Sequence, residues 1–108
     1  EDRAHPKYII QICVKSALFY FDQDGSGAGD PYISIEFGTQ EPKKTETKME
    51  TKKPTWDETF EFEAQDMSTK IKFHVWDWDR LTHDDHIGSF QIWVSDIVRS
   101  TQPYARGK

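Results

Sequence analysis

The sequence has one cysteine among 108 residues, and it has no long apolar segment. Cys13 has no partner for an internal disulfide, which favours a reducing compartment, so we expect a cytoplasmic protein. No apolar run approaches the roughly 20 residues that a transmembrane helix needs, and the amino-terminal Glu-Asp-Arg-Ala-His-Pro lacks the apolar core of a signal peptide. Any membrane contact is therefore expected to be peripheral.

The length also leaves little room for more than one domain, because each half of a divided chain would be too small to bury a core. Aromatic residues compensate for few aliphatic ones: the chain has 4 Trp, 4 Tyr and 7 Phe, which bury large areas per side chain. Residues 1–108 are therefore predicted to form a single domain. Since the first residue is not Met, we expect a segment of a larger protein, whose other domains are candidate partners.

Negative charge exceeds positive charge, with 19 Asp and Glu against 14 Lys and Arg, and the excess is concentrated. Leaving out five aspartates in two short segments makes the two counts equal at 14. These five are Asp24, Asp30, Asp77, Asp79 and Asp85. The placement indicates a local acidic site, and we expect no nucleic-acid partner.

Apolar residues alternate with polar ones along most of the chain, which is typical of half-buried strands. The clearest case is Phe60, Phe62 and Ala64, which share one face of a predicted strand whose other face is polar. Six strands are predicted, near residues 7–18, 31–38, 43–50, 56–64, 70–78 and 87–94, with turn residues between them. No amphipathic helix is long enough to cover a sheet, although residues 95–99 favour a short helical turn, so the pattern predicts an all-β antiparallel β-sandwich.

The five aspartates lie where these strands end. Asp77 and Asp79 leave one strand on the same side, Asp85 follows eight residues after Asp77, and Asp24 and Asp30 bracket a glycine-rich loop. If the loops meet at one end of the sandwich, the carboxylates repel one another unless a hard cation bridges them. All-oxygen ligands suit calcium or magnesium rather than zinc or copper.

A helical calcium loop is a competing interpretation of the segment that begins at Asp22. Its twelfth position is Ile33, where that loop needs a bidentate glutamate, and Pro31 would interrupt the following helix. We therefore reject it.

Five segments resemble, in order and spacing, the signature segments of C2 domains over about residues 8 to 94. They are Gly29-Asp-Pro-Tyr-Ile33, Lys44-Thr45, Pro54-Thr-Trp-Asp-Glu58 with Phe60, Val75-Trp-Asp-Trp-Asp-Arg80 and Asp84-Asp-His-Ile-Gly88. The resemblance implies an eight-stranded sandwich with calcium bound by loops at one end. By motif position the ligands would be Asp24, Asp30, Asp77, Asp79 and Asp85, with Asp22 as second choice to Asp24.

The strand order resembles the permuted topology of the family. The chain begins at the strand that leads into the first calcium loop, and six strands are predicted where the family has eight. The last strands would then lie beyond Lys108, or residues 102–108 would pair in a way that the pattern does not reveal.

The implied function is calcium-dependent binding of anionic phospholipid membranes such as phosphatidylserine surfaces, without catalysis. Bound calcium would offset the charge of the loops and bridge to lipid oxygens. Leu81 and Arg80, at the tip of the last loop, are predicted to contact the membrane. Lys43, Lys44 and Lys48 belong to a basic stretch that is a candidate phosphoinositide contact, although charge runs usually just solvate a strand.

Two other classes remain open at this stage. Trp76, Trp78 and Trp93 alternate outward and would suit a calcium-stabilised carbohydrate-binding sandwich. A calcium-regulated protein-interaction module is the other alternative. A metal-dependent hydrolase is disfavoured because the sequence offers no placed nucleophile or evident general base, with His83 and His86 more typical of surface histidines.

Overall fold

The computed structural model describes residues 8–19 and 28–101. Within them six strands are followed by one helix, and no helix there is long and apolar enough to cross a bilayer. The elements are β1 (Tyr8–Ser16), β2 (Pro31–Phe37), β3 (Lys43–Lys44), β4 (Thr55–Ala64), β5 (Lys70–Asp77), β6 (Asp85–Trp93) and α1 (Val94–Thr101). The predicted order of strands is confirmed.

The strands form two antiparallel sheets that enclose one core. β1 pairs with β4, and the second sheet has the order β3-β2-β5-β6. Phe37 of the larger sheet and Phe62 of the smaller sheet are fully buried, with their rings stacked at 4.6 Å between centroids. Burial of an aromatic side chain of this kind stabilises the fold by about 1.5–3 kcal/mol. The predicted antiparallel β-sandwich is confirmed.

The third strand is shorter than the predicted span of residues 43–50. Thr45 is buried, its Oγ1 accepts a hydrogen bond from the backbone N–H of Ile33 at 3.0 Å, and its own N–H donates to the Ile33 carbonyl at 2.9 Å. The Thr45 hydroxyl oxygen thus accepts the hydrogen bond that a backbone carbonyl would accept in regular strand pairing. The chain still follows β2, since Lys48 N–H donates to the Pro31 carbonyl at 3.1 Å, but without regular strand pairing.

β6 lies at the edge of the larger sheet, and its core-facing side is only partly covered. Phe90 stacks on Phe73 at 4.7 Å between centroids, yet Phe90 is 56% exposed while Phe73 is buried. The pairing predicted for residues 102–108 lies outside the described residues, and the permuted topology stays a prediction.

The strand connections define two ends of the molecule. The loop end carries residues 28–30, 45–54 and 78–84, and the far end carries residues 38–42 and 65–69. Gly38, at the far end, has a φ of 58°, a left-handed conformation in which glycine is favoured. The predicted acidic site falls on the loop end.

Candidate functional site

Asp30 and Asp77 lie side by side at the loop end. Antiparallel pairing of β2 with β5 places Pro31 opposite Asp77, which brings the preceding Asp30 to the end of β5. The Asp30 N–H donates to Asp77 Oδ1 at 2.8 Å, and the Trp78 N–H donates to the Asp30 carbonyl at 2.9 Å. Strand register therefore brings together two of the aspartates predicted from the sequence.

The loop of residues 45–54 is attached to the same point. Gly29 and Thr51 form an isolated antiparallel bridge, and the Glu50 N–H donates to Asp30 Oδ1 at 2.6 Å. Glu50 has a φ of 49°, a left-handed conformation that few non-glycine residues adopt. Sequence reasoning missed Glu50 because it lies in a lysine-rich stretch and no local pattern indicates this turn.

Asp79 shapes the beginning of the loop between β5 and β6. Its Oδ1 accepts hydrogen bonds from the N–H groups of Leu81 at 2.8 Å and Thr82 at 3.3 Å, and its Oδ2 accepts one from Thr82 Oγ1 at 3.0 Å. These bonds, with that from Leu81 first, lower the pKa of Asp79 below its usual range. Asp79 is therefore ionised at neutral pH while it holds the turn.

Asp84, which is not among the predicted ligands, connects this loop to the sheet. Its Oδ1 accepts the Asp79 N–H at 3.0 Å, and its Oδ2 accepts the Tyr32 hydroxyl at 2.5 Å. The Tyr32 hydroxyl is the main cause of a lowered pKa for Asp84. The predicted ligand Asp85 is exposed, begins β6 and pairs opposite Asp77.

Tyr32 gives a pH-dependent prediction. Burial, followed by the Asp84 carboxylate, raises the pKa of Tyr32 to about 12, whereas an unfolded phenol has a pKa of about 10. The unfolded state therefore loses its proton first, so the contribution of Tyr32 to stability is fully present below about pH 10 and is lost as the pH rises through about 12. In an alkaline absorbance titration, we expect Tyr32→Phe to lack the phenol that ionises near pH 12.

Asp84→Asn is the companion variant, because it keeps the shape of the side chain and removes its charge. It should move the Tyr32 titration part of the way towards pH 10 and leave the burial contribution in place. Unchanged alkaline titrations in both variants would contradict the Tyr32–Asp84 pair.

Four carboxylates line one cleft at the loop end. Asp30, Glu50, Asp77 and Asp79 border a cavity of about 630 Å³ together with Arg80. The remaining lining residues are Ala28, Gly29, Met49, Trp78 and Leu81. In the part of the chain that the structure describes, no salt bridge includes any of the four carboxylates. Arg80 is the one basic residue in this described lining, so the cleft keeps an excess of negative charge.

The donor chemistry of the cleft fits calcium, because its charged donors are all carboxylates and its described lining residues include no His or Cys. Across residues 8–19 and 28–101, however, no three His, Cys, Asp or Glu side chains are close enough together to hold a metal ion. Asp24 and its second choice, Asp22, lie outside the described residues. Among the described residues, binding would thus require the loop carboxylates to move towards one another.

Two apolar side chains stand beside this acidic cleft. Leu81 is 83% exposed and Met49 is 58% exposed, and both belong to its lining. Arg80, also exposed, lies next to Leu81 as the sequence indicated. Met49 was missed for the same reason as Glu50: its neighbours in sequence are charged, so the pattern there predicts only a solvated segment.

The three candidate phosphoinositide lysines make different contacts. Lys43 Nζ donates to the Glu61 carbonyl at 3.2 Å, while Lys44 Nζ lies over the Tyr32 ring at 5.4 Å from its centroid. Adjacent residues of a strand face opposite sides, which separates these two. Lys48 pairs with Glu46 at 3.0 Å. The phosphoinositide contact stays a prediction.

The tryptophans do not form a row of exposed rings. Trp56 is buried in the core, and its Nε1 donates to the Glu46 carbonyl at 2.9 Å. Trp76 stacks on Tyr32 and Trp78 lines the cleft, while Trp93 is 41% exposed at the edge strand with Lys70 over its ring. This arrangement gives little support to a sugar-stacking platform.

Comparison with known proteins identifies the family. A family model described as C2 domain matches residues 8–106, almost the whole chain. The chain belongs to the C2 domain family. Its antiparallel sandwich is thus that of a C2 domain, and membership of this family supports a membrane-targeting module in general.

Curated relatives agree. The C2 domain is 32% identical over 96 residues to the eye isozyme of protein kinase C of Drosophila melanogaster, covering 83% of this chain and 14% of that protein. It is 34% identical over 94 residues to the E3 ubiquitin-protein ligase Nedd-4 of Drosophila melanogaster (82% and 9% covered). It is 35% identical over 79 residues to synaptotagmin-1 of Aplysia californica (68% and 18% covered). The chain thus spans less than a fifth of each of these relatives.

Solved structures show the same fold. A C2 domain of a plant extended synaptotagmin 1 is 25% identical with a TM-score of 0.76, covering 85% of this chain and 72% of that one. A structure of two C2 domains of extended synaptotagmin 2 is 24% identical with a TM-score of 0.77, covering 88% of this chain and 33% of that one.

Proposed function

We propose that this C2 domain binds anionic phospholipid membranes when calcium occupies the loop-end cleft, and that it directs a larger protein to the membrane without catalysing a reaction. The observation that carries the proposal is the set of four carboxylates, without a salt bridge among the described residues, that lines one cleft. We expect that protein to be cytoplasmic and to reach the membrane surface as calcium rises.

The net charge of the cleft explains how calcium would control membrane binding. Four carboxylates and one guanidinium leave the cleft with about three net negative charges, so the empty site should repel an anionic surface. One divalent ion reduces the net charge to about −1, and two reverse it to about +1. Calcium accepts more than four oxygen ligands, so lipid phosphate or carboxylate oxygens can complete its coordination.

Apolar contact would add to this attraction. Leu81 and Met49 lie beside the carboxylates, so a membrane that reaches the calcium also meets two apolar side chains. Burial of apolar area in the interface gives an affinity that salt does not screen. Arg80, next to Leu81, would supply a positive charge for a lipid phosphate.

Co-sedimentation tests the proposal. We expect the protein to pellet with phosphatidylserine-containing liposomes in calcium and to stay in the supernatant in EGTA. In magnesium it should pellet only weakly, because magnesium usually binds just one or two carboxylates and keeps several waters. Calcium without lipid should also raise the unfolding temperature, because only the folded loops bring the carboxylates together.

The two measurements separate the alternatives. A raised unfolding temperature without liposome binding would favour a calcium-regulated protein-interaction module. No response to millimolar calcium in either measurement would refute the calcium site, and equal pelleting with and without calcium would refute its control of membrane binding.

A further inference from the structure

The outer face of the larger sheet carries a pair of histidines in contact. His74 of β5 and His86 of β6 lie on neighbouring strands, close together in the register. His74 Nδ1 and His86 Nε2 are 3.2 Å apart, and the ring centroids are 5.3 Å apart. Neither histidine lines the loop-end cleft.

Glu36 determines which nitrogen of His74 carries the proton. Glu36 Oε2 lies 3.1 Å from His74 Nε2, and because a carboxylate only accepts hydrogen bonds, this nitrogen must donate. In the neutral ring the other nitrogen, Nδ1, is then unprotonated and faces His86. A carboxylate that orients a histidine through its second ring nitrogen is the usual support of a metal-ligating histidine.

We propose that His74 Nδ1 and His86 Nε2 form a site for a borderline transition-metal ion such as zinc, with Glu36 as the positioning residue. Two nitrogens at the usual zinc distance and tetrahedral angle are about 3.3–3.4 Å apart, close to the observed 3.2 Å. The ion replaces the His86 Nε2 proton between the two rings, and this proton passes through solvent to His86 Nδ1, so both imidazoles stay neutral.

The side chains allow the small movement that this needs. The His74 side chain is 17% exposed and held by Glu36, whereas His86 is exposed and can tilt towards a shared ion. With two protein ligands, the remaining tetrahedral positions belong to water or to an external donor. The site uses nitrogen donors and no residue of the loop-end cleft, so the inference does not rest on the proposed membrane function.

Zinc titration by calorimetry tests the proposal. The background is Cys13→Ser, because the exposed thiol is itself a zinc ligand, and millimolar calcium and magnesium occupy the carboxylates. We expect one zinc ion per chain in this background. His74→Gln and His86→Gln should each weaken binding by more than about tenfold, because each removes one of the two ligands. Glu36→Gln should weaken it by about tenfold, because it removes the carboxylate that orients His74.

His83→Gln is the matched control, since His83 is an exposed histidine of the loop between β5 and β6. It should bind zinc like the background protein. Circular dichroism and unfolding without metal show whether each variant is folded. If a variant is not folded, the background protein is tested instead. Paramagnetic nickel added to it should selectively broaden the NMR signals of His74 and His86.

Three results would overturn the site. One is equal zinc affinity in the background protein and in folded His74→Gln and His86→Gln variants. Another is a dissociation constant weaker than about 1 mM, which corresponds to about −4 kcal/mol and is no more than nonspecific attraction. The third is nickel broadening that leaves residues 74 and 86 unaffected.

Discussion

Asp77→Asn and Asp79→Asn should each abolish calcium-dependent pelleting with phosphatidylserine liposomes while the protein stays folded. The expected effect is large because each substitution removes a full charge and a carboxylate oxygen that a calcium ion would bind. The two residues lie in the same cleft, so each variant weakens the whole site.

The geometry explains why the fold should survive these substitutions. Asparagine keeps the Oδ1 atom that accepts the Asp30 N–H at Asp77, and the Oδ1 atom that accepts the Leu81 N–H at Asp79. The Thr82 hydroxyl, which donates to Asp79 Oδ2, can accept from the new amide instead. The local hydrogen bonds are thus kept, while the charge and one carboxylate oxygen are lost.

Asp66→Asn is the matched control at the far end. Asp66 Oδ1 accepts hydrogen bonds from Ser68 N–H at 2.9 Å and Ser68 Oγ at 2.7 Å, so its local role is similar to that of Asp79. It removes the same charge from the protein but should leave pelleting unchanged. If the Asp77 and Asp79 variants still pellet in a calcium-dependent way, the ligands are misassigned; if all three variants lose binding, net charge rather than the cleft controls it.

The sequence predicts the sandwich well because burial imposes a period of two. Phe62 and Ala64 are buried and Glu61 and Glu63 are exposed, as alternation requires. The pattern fails at Thr45, where a side-chain hydroxyl accepts the hydrogen bond that a backbone carbonyl accepts in regular strand pairing. It also fails at Phe90, a core-facing position on a sheet edge that is not covered. Both failures depend on tertiary contacts that alternation does not encode.

The site is predictable in part for the same reason. Asp30 and Asp77 lie at the ends of strands whose hydrophobic patterns are clear, so their approach follows from register. Glu50 enters the cleft through a left-handed turn, and Asp84 is held by a tyrosine 52 residues away in sequence. Neither contact has a local sequence signature.

Aspartates of the loop between β5 and β6 have a structural role as well as the proposed role in holding calcium. Asp79 and Asp84 both accept backbone N–H groups within the loop, and Asp84 extends this contact to Tyr32 on the sheet. The base of the loop that is proposed to hold calcium is thus attached to a strand. When the ion draws the carboxylates together, less of the loop has to be ordered, which limits the conformational entropy that is lost.

Among substitutions that keep calcium binding, Leu81→Ala and Met49→Ala should cause the largest loss of membrane affinity. Neither side chain supplies a ligand oxygen, so calcium affinity in solution should stay almost unchanged. Each substitution removes about three heavy atoms that the membrane would bury. At roughly 0.8 kcal/mol per methylene, the upper limit of the loss is about 2 kcal/mol, or about thirtyfold in the dissociation constant. Partial immersion makes the loss smaller, and the double variant should lose more than either single one.

The matched controls are Ile9→Ala and Met67→Ala, at positions away from the cleft where the side chains are 51% and 43% exposed. They remove similar apolar surface and should bind liposomes like the wild type. A salt series distinguishes apolar insertion into the membrane from electrostatic attraction to it. Coulombic binding is screened over about 10 Å at 0.1 M ionic strength, whereas apolar contact is not. The Leu81 and Met49 variants should therefore be more salt-sensitive than the wild type. Wild-type affinity in the double variant at every salt concentration would mean that docking is purely electrostatic.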